Sequence, residues 1–346
     1  MRLYPLIRPL MFALDAETAH RATIRALKLV PPHGPPHFPQ SLKTRVAGLD
    51  FPTPIGLAAG FDKDSEVPEQ MLAFGFGFVE VGTLTPQPQA GNARPRLFRL
   101  RADRGVINRL GFNNGGQAAA FGRIERFSHL PGVIGINIGA NKDSKDRIGD
   151  YVAGVRAIAP IADYLTINIS SPNTPGLRGL QDEGELTTLL SAISEARPKK
   201  SPPIFLKIAP DLAEGDPERI VRAAIGHQID ALIVSNTTVS RPPLRSRYAN
   251  EQGGLSGAPL KTLALDALRK FRRASGGEIP LIGVGGIATA EDAWERIRAG
   301  ASLVQLYTAM VYEGPGVARR IARGLARILK REGIANVSEA VGTERP

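Results

Sequence analysis

The sequence predicts an α/β fold, a (β/α)8 TIM barrel with a small N-terminal helical extension. Three observations predict it. Eight apolar runs recur along the chain with helical patterns between them. The runs are near-continuous rather than alternating, as parallel strands buried under helices require. Each run also ends near a polar residue or a glycine pair. A doubly wound sheet is the competing arrangement, but the Gly-x-Gly-x-x-Gly turn such sheets use after their first strand is missing.

In chain order, residues 1–45 stand apart from the rest. Arg2, Arg8, Arg21, Arg25, Lys28, Lys43 and Arg45 oppose Asp15 and Glu17, a net +5. The stretch 13–30 carries Leu14, Ala19, Ala22, Ile24, Leu27 and Val30 among basic residues, which predicts a short amphipathic helix suited to a membrane surface, to packing on the barrel, or to both. A Pro-rich linker follows; His33 and His37 lie in it and are not read as metal ligands. The expected division is 1–45 and 46–346. Strands are predicted at 54–59, 78–82, 133–138, 164–168, 204–208, 231–235, 281–284 and 302–307. Helices are predicted at 182–196, 216–227, 260–274 and 291–299.

A chain of 346 residues suits one barrel plus an appendage. With no cysteine, disulfides and thiolate chemistry are excluded, and the five histidines form no HExxH pair, so no metal site is expected. The net charge of +11 leaves an anionic substrate or an anionic membrane surface as partners. Nucleic acid is set aside, because the basic residues are scattered and aromatics are 6%. No apolar run approaches the roughly 20 residues that span a bilayer. Pro5, Arg8 and Pro9 interrupt the start, so it does not read as a signal peptide.

Barrels place chemistry at the C-terminal ends of their strands. Here those ends carry Lys63, Thr83, Asn137, Asn168, Lys207 and Asn236, then Gly285 with Gly286 and Tyr307 with Thr308. Ser171 follows the fourth run, bracketed by Asn168 and Asn173. A hydroxyl between carboxamides can take a proton from a small polar substrate while the amides hold it, and without a thiol the serine must be the base. The glycines at 283–286 and the Tyr307-Thr308 pair predict a grip for a phosphate-bearing cofactor. Lys207 interrupts an apolar strand. It could offset negative charge on a reduced cofactor ring or form an imine as in barrel aldolases. Lys63, between Asp62 and Asp64, could be a ligand or a loop charge. A barrel lyase and a non-catalytic basic binding protein therefore remain alternatives to a redox enzyme.

Several stretches in order then resemble one family. They include Gly56-Leu-Ala-Ala-Gly-Phe-Asp-Lys-Asp64, Arg94-Pro-Arg-Leu-Phe-Arg99, Ile107-Asn-Arg-Leu-Gly-Phe-Asn-Asn114, Asn168-Ile-Ser-Ser-Pro-Asn173, Lys207-Ile-Ala-Pro-Asp211 and Ser235-Asn-Thr-Thr238. The chain resembles the dihydroorotate dehydrogenases, in particular their quinone-dependent, membrane-associated class (class 2), whose base is a serine where the cytosolic class has a cysteine. The resemblance implies an FMN-binding barrel, one FMN per chain, that oxidises dihydroorotate to orotate in de novo pyrimidine synthesis. Ser171 would remove the C5 proton while C6 delivers hydride to the flavin. A serine needs help to act as a base, and Thr174 is a polar neighbour able to relay the proton.

By the same resemblance, Lys63, Asn108, Asn168, Asn173, Asn236 and Thr237 would bind substrate, together with the stretch Arg109, Leu110, Gly111 and Phe112. Ala59, Gly60, Phe61, Asp62, Lys63 and Thr83 would meet FMN on one side. Asn137, Asn168, Lys207 and Ser235 would meet it on another, and Gly257, Gly286, Tyr307 and Thr308 on a third. Ser235 stands where many relatives carry threonine and keeps the hydroxyl. His20 and Arg99 would meet the quinone head group, with residues 1–45 forming a cap over the quinone tunnel. A monomer bound peripherally to the cytoplasmic side of the inner membrane is expected.

Overall fold

The computed structural model describes residues 4–31, 33–127 and 132–344; Arg2 lies outside them. Two helices open the chain, α1 (Tyr4–Ala13) and α2 (Ala16–Lys28). α2 lies within the helix expected over 13–30, and α1 is an addition the sequence reading did not contain. Asp15 caps α2 by accepting from Thr18 N, and Arg25 and Lys28 sit in its last turn, where the helix dipole favours cations. α1 forms despite Pro9 because the barrel supplies its cap. Arg99 Nη1 donates to Met11 O at 2.9 Å, while Arg99 and Arg101 also donate to the carbonyls of Leu14 and Phe12.

A 3-10 turn (Gln40–Leu42) leads into a hairpin of β1 (Thr44–Val46) and β2 (Leu49–Phe51). The division expected at 45/46 falls inside β1. Then come β3 (Ile55–Leu57), β4 (Phe78–Leu84), β5 (Leu97–Leu100), β6 (Gly105–Asn108), β7 (Val133–Ile138) and β8 (Tyr164–Asn168). β9 (Ile204–Ile208), β10 (Ala231–Val234), β11 (Gly254–Gly257), β12 (Leu281–Val284) and β13 (Ala301–Leu306) complete the set. Eight of these close into a parallel barrel in the order β3-β4-β7-β8-β9-β10-β12-β13, the count and order read from the apolar runs. A closed barrel excludes the doubly wound alternative. β5, β6 and β11 form a separate antiparallel sheet, with Asn108 opposite both Leu97 and Gly254.

Inside the barrel, Phe78, Tyr164 and Phe205 fill the layer nearest the N-terminal mouth, and Phe51 of the hairpin closes it. Tyr164 stacks on Phe205 at 4.5 Å, and Phe51 meets Phe78 edge-on at 5.1 Å. A Cβ at Gly135 would lie 1.9 Å from the Tyr164 ring, so this strand position must stay bare for the aromatic to fit. Outside, helices such as Glu183–Ala196 bury Leu186, Leu189, Leu190 and Ile193 against the strands. Each such side chain contributes about 1.5–3 kcal/mol on burial. With the lower half of the barrel packed, the upper ends of the strands are left to hold a ligand.

Candidate active site

A cavity of about 330 Å³ opens above these strand ends, at the lower end of the 300–1,000 Å³ common for small-molecule sites. Its floor is polar. Asn168 and Lys207 are paired in register on β8 and β9, and both face the cavity, as does Thr83. Asn137, directly behind, accepts from Thr83 Oγ1 at 2.6 Å and from Asn168 Nδ2 at 3.0 Å. Its own Nδ2 donates to Glu80 at 2.7 Å. The Lys207 ammonium is 3.8 Å from the Glu80 carboxylate, and both are buried.

Beside the floor lies a cluster of carboxamides around Ser171. Ser171 is 5% exposed, and its Oγ accepts from Asn173 N at 3.2 Å. Asn173 Nδ2 donates to Asn108 Oδ1 at 3.2 Å, which joins β6 to the loop after β8. Asn236 Nδ2 donates to Ser170 Oγ at 3.0 Å, and Asn236 Oδ1 accepts from Thr237 N at 2.8 Å. Arg178 locks the two loops together. Its Nε donates to Ser170 O at 3.1 Å, Nη2 to Thr237 O at 2.9 Å and Nη1 to Asp211 at 2.8 Å.

The far wall is largely main chain. Gly257, Gly285 and Gly286 line it with Tyr307 and Thr308. Gly286 has φ +71°, and a Cβ there would come within 2.4 Å of Lys261 Cα, so only glycine fits. Thr308 Oγ1 is 2.8 Å from Ser256 Oγ. Backbone amides and hydroxyls without a side-chain charge suit a phosphoryl group.

The other end of the cavity is apolar and is roofed by α1 and α2. Met11, Phe12, Ala19, Leu27 and Phe74 line it. His20 projects from α2 to within 3.5 Å of Tyr307 OH and lies edge-on to Phe61 at 5.4 Å. Burial, helped by the nearby Lys63 ammonium, pushes the His20 imidazole down to about 4. Burial likewise pushes Lys63 down to about 8. Arg99 lines the same end, with Phe12 under its guanidinium at 4.8 Å.

The cavity therefore brings together nearly all the residues singled out from the sequence, from His20, Ala59, Gly60 and Phe61 to Leu110, Gly111, Phe112 and Ser235. Asp62, Arg109, Asn137 and the relay candidate Thr174 do not line it. Asp62 turns away to accept from Glu66 N and Val67 N, each at 2.8 Å, and burial pushes its carboxyl up to about 6. Arg109 pairs with Glu251 at 2.7 Å and packs over Phe98. Asn137 sits behind the wall and reaches the cavity only through Thr83 and Asn168. Glu80 and Arg178 escaped the sequence reading. Glu80 carried the same signal as Lys207, a lone charge inside an apolar strand.

The dihydroorotate dehydrogenase family model matches residues 41–329. A dihydroorotate dehydrogenase (quinone) of Erythrobacter litoralis is 63% identical over 99% of this chain and 100% of its own length. One from Novosphingobium aromaticivorans is 60% identical, with the same coverage of both chains. Among solved structures, the crystal structure of DHODH in complex with ferulenol from Eimeria tenella superposes with a TM-score of 0.91 at 42% identity, covering 95% of this chain and 96% of that one. With a cavity built at the ends of a closed parallel barrel and relatives matched over their full length, the chain belongs to the dihydroorotate dehydrogenase family, in its quinone-dependent class.

Proposed function

We propose that this protein oxidises dihydroorotate to orotate in pyrimidine biosynthesis, with one FMN per chain as hydride acceptor and a membrane quinone as final electron acceptor. The observation that carries this reading is one continuous cavity with a carboxamide-lined end at Ser171 and an apolar end under α1 and α2. The residues present fit a flavin nucleotide. A buried ammonium and carboxamides form the floor, and the bare glycine wall at Gly257 and Gly286 leaves room and amides for a phosphate.

When bound, FMN would supply the hydride acceptor and the redox link to the quinone. The protein orients the substrate and moves a proton. Asn108, Asn173, Asn236 and Thr237 offer donors and acceptors to the pyrimidine amides, and Lys63 offers positive charge to the carboxylate. Ser171 Oγ takes the C5 proton as the C6 hydride leaves, so that a C5=C6 double bond forms. Thr174 is 2% exposed, and its hydroxyl has no hydrogen-bond partner among the described residues, which suits a relay from Ser171. Lys207 places a cation against charge that builds up on the cofactor. Lys207 is ion-paired with the buried Glu80 at 3.8 Å, and an imine there would leave that carboxylate without its partner. The lyase reading is therefore not adopted.

His20, held neutral, can donate to a quinone oxygen or accept from the hydroxyl of the quinol. Arg99 has already committed donors to the end of α1, so its quinone role is to hold the tunnel wall as much as to touch the head group. For the membrane, Leu6, Ile7, Leu10, Leu14, Leu29 and Val30 are six of the eight exposed large apolar side chains among the described residues. Their concentration on the helical unit supports peripheral insertion into a membrane surface, and we propose a monomer on the cytoplasmic side of the inner membrane. No described helix is long and apolar enough to cross a membrane. Leu6, Ile7 and Leu10 of α1 make that face with Leu14, Leu29 and Val30 at the helix ends, while Ala19, Ile24 and Leu27 of α2 are buried. We place the boundary of this unit before Gln40, outside the β1–β2 hairpin. The test is whether denaturation releases one FMN per chain and whether dihydroorotate drives quinone reduction. A flavin-free protein inactive with dihydroorotate would refute the proposal.

A further inference from the structure

Glu80 lies in the middle of β4 with 0% exposure. It accepts from Asn137 Nδ2 at 2.7 Å on one oxygen, and from Gln305 Nε2 at 2.7 Å and Tyr164 OH at 3.2 Å on the other. These donors come from β7, β13 and β8, so three strands hold the carboxyl in one place. It donates to none of them, which is the pattern of an ionised carboxylate. A buried carboxylate is costly unless it is both hydrogen-bonded and charge-paired. Here the paired charge is Lys207, 3.8 Å away on β9. The other strands around the pair bring neutral groups, namely Asn137, Asn168, Ser235, Gln305 and the Tyr164 hydroxyl. Burial, then the Glu80 charge, pushes Tyr164 upward and keeps it protonated.

Lys207 faces the cavity on one side and Glu80 on the other. We propose that Glu80 is a positioning residue for the redox step: it holds Lys207 as an ammonium and opposes its charge, and so sets how strongly Lys207 favours the reduced cofactor. This rests on the flavin reading of the cavity. Removing the carboxylate leaves the ammonium unopposed, which stabilises added electrons and raises the flavin midpoint potential.

The test is a charge cycle on the holoenzyme, reading midpoint potential against pH for the parent, Glu80→Gln, Lys207→Gln and the double variant. Glu80→Gln should shift the potential positive at every pH. Lys207→Gln should shift it negative, and the double variant should lie between the two. A packing defect would not produce shifts of opposite sign that offset each other. Should Glu80→Gln lose its flavin, the double variant should regain it, because the unpaired buried cation has gone. An unchanged or negative shift in a flavin-loaded Glu80→Gln, or a double variant that fails to regain flavin, overturns the inference. A parent without flavin would instead overturn the reading on which it rests.

Discussion

Glu17 on α2 and Arg96, just before β5, form a bidentate ion pair: Oε2 accepts from Nε at 2.9 Å and Oε1 from Nη2 at 2.8 Å. Both side chains are buried, and Arg94 adds a third guanidinium contact at 3.0 Å. The Arg96 hydrogen bonds, and beyond them the charges of Arg96, Arg94 and Arg21, hold the Glu17 carboxyl below the usual range. The same Arg96 donates through Nη1 to Ala90 O and Asn92 O, and Asn92 Nδ2 donates to Asn173 O at 3.1 Å. The cap over the apolar end is thereby tied to the loop that carries the proposed base.

Breaking that pair should undock the cap. Removing one partner of a buried ion pair typically costs about 3–5 kcal/mol. In Glu17→Ala the cost should appear as faster proteolysis within residues 29–39 and slower reoxidation by quinone. Flavin content should stay near the parent value. Because the folded carboxyl lies below its unfolded value, this stabilisation is present above the unfolded pKa and is lost as pH falls through the folded one. A cleavage rate equal to the parent's would show that the pair does not hold the helices down.

Ser171→Ala should keep its flavin and bind orotate, yet slow flavin reduction by on the order of 10²–10⁴, the usual worth of a general base. Ser171→Cys should retain part of the rate, rising with pH as the thiolate forms. Rapid-mixing traces of flavin bleaching decide this, and a parent-like rate in the alanine variant would remove Ser171 from the chemistry.

The pH dependence should report Lys63. Its ammonium, depressed by burial to about 8, loses its proton as pH rises through that value. Attraction for the substrate carboxylate is lost with it, so kcat/KM for dihydroorotate should fall above about pH 8, a limb reporting the free enzyme. The limb should be absent in Lys63→Met, whose kcat/KM should be uniformly low. Stability runs the other way: with the folded value below the unfolded one, the unfolded chain binds more protons between them, and Lys63 costs less as pH rises through that window. His20, neutral above about 4, should add no limb to the quinone step near neutral pH.

A protein beginning at Gln40 should keep the barrel and the β1–β2 plug, bind FMN and be reduced by dihydroorotate. It should lose most turnover with long-tailed quinones and most vesicle binding. In the full chain, salt should weaken vesicle binding only slightly. Arg8 donates to Tyr312 O, and Arg21 and Lys28 pair with Glu17 and Glu66, which leaves the apolar side chains and Arg25 to meet lipid. Flotation with anionic vesicles at rising salt measures this, and detachment at moderate salt would contradict it.

The barrel was legible because its strands are buried on both faces and therefore read as unbroken apolar runs. The polar strand ends marked most of the cavity for the same reason, since Asn168 and Lys207 have no other use in such a strand. The β5–β6–β11 sheet was not legible: β6 pairs with a segment far along the chain, and Leu97 to Leu100 alternates too briefly to stand out. α1 was hidden behind Pro5 and Pro9, because its cap is made by Arg99 and Arg101 from the barrel rather than by neighbouring residues. Arg109 misled because adjacency to Asn108 on a strand puts its side chain on the opposite face.

The most direct test of the central claim is anaerobic rapid mixing of the intact protein, first with dihydroorotate and then with quinone, followed by flavin absorbance. Dihydroorotate should bleach the flavin, one orotate should appear per flavin, and quinone should restore the absorbance. A flavin that dihydroorotate leaves oxidised, or a reduced flavin that quinone does not reoxidise, would contradict it.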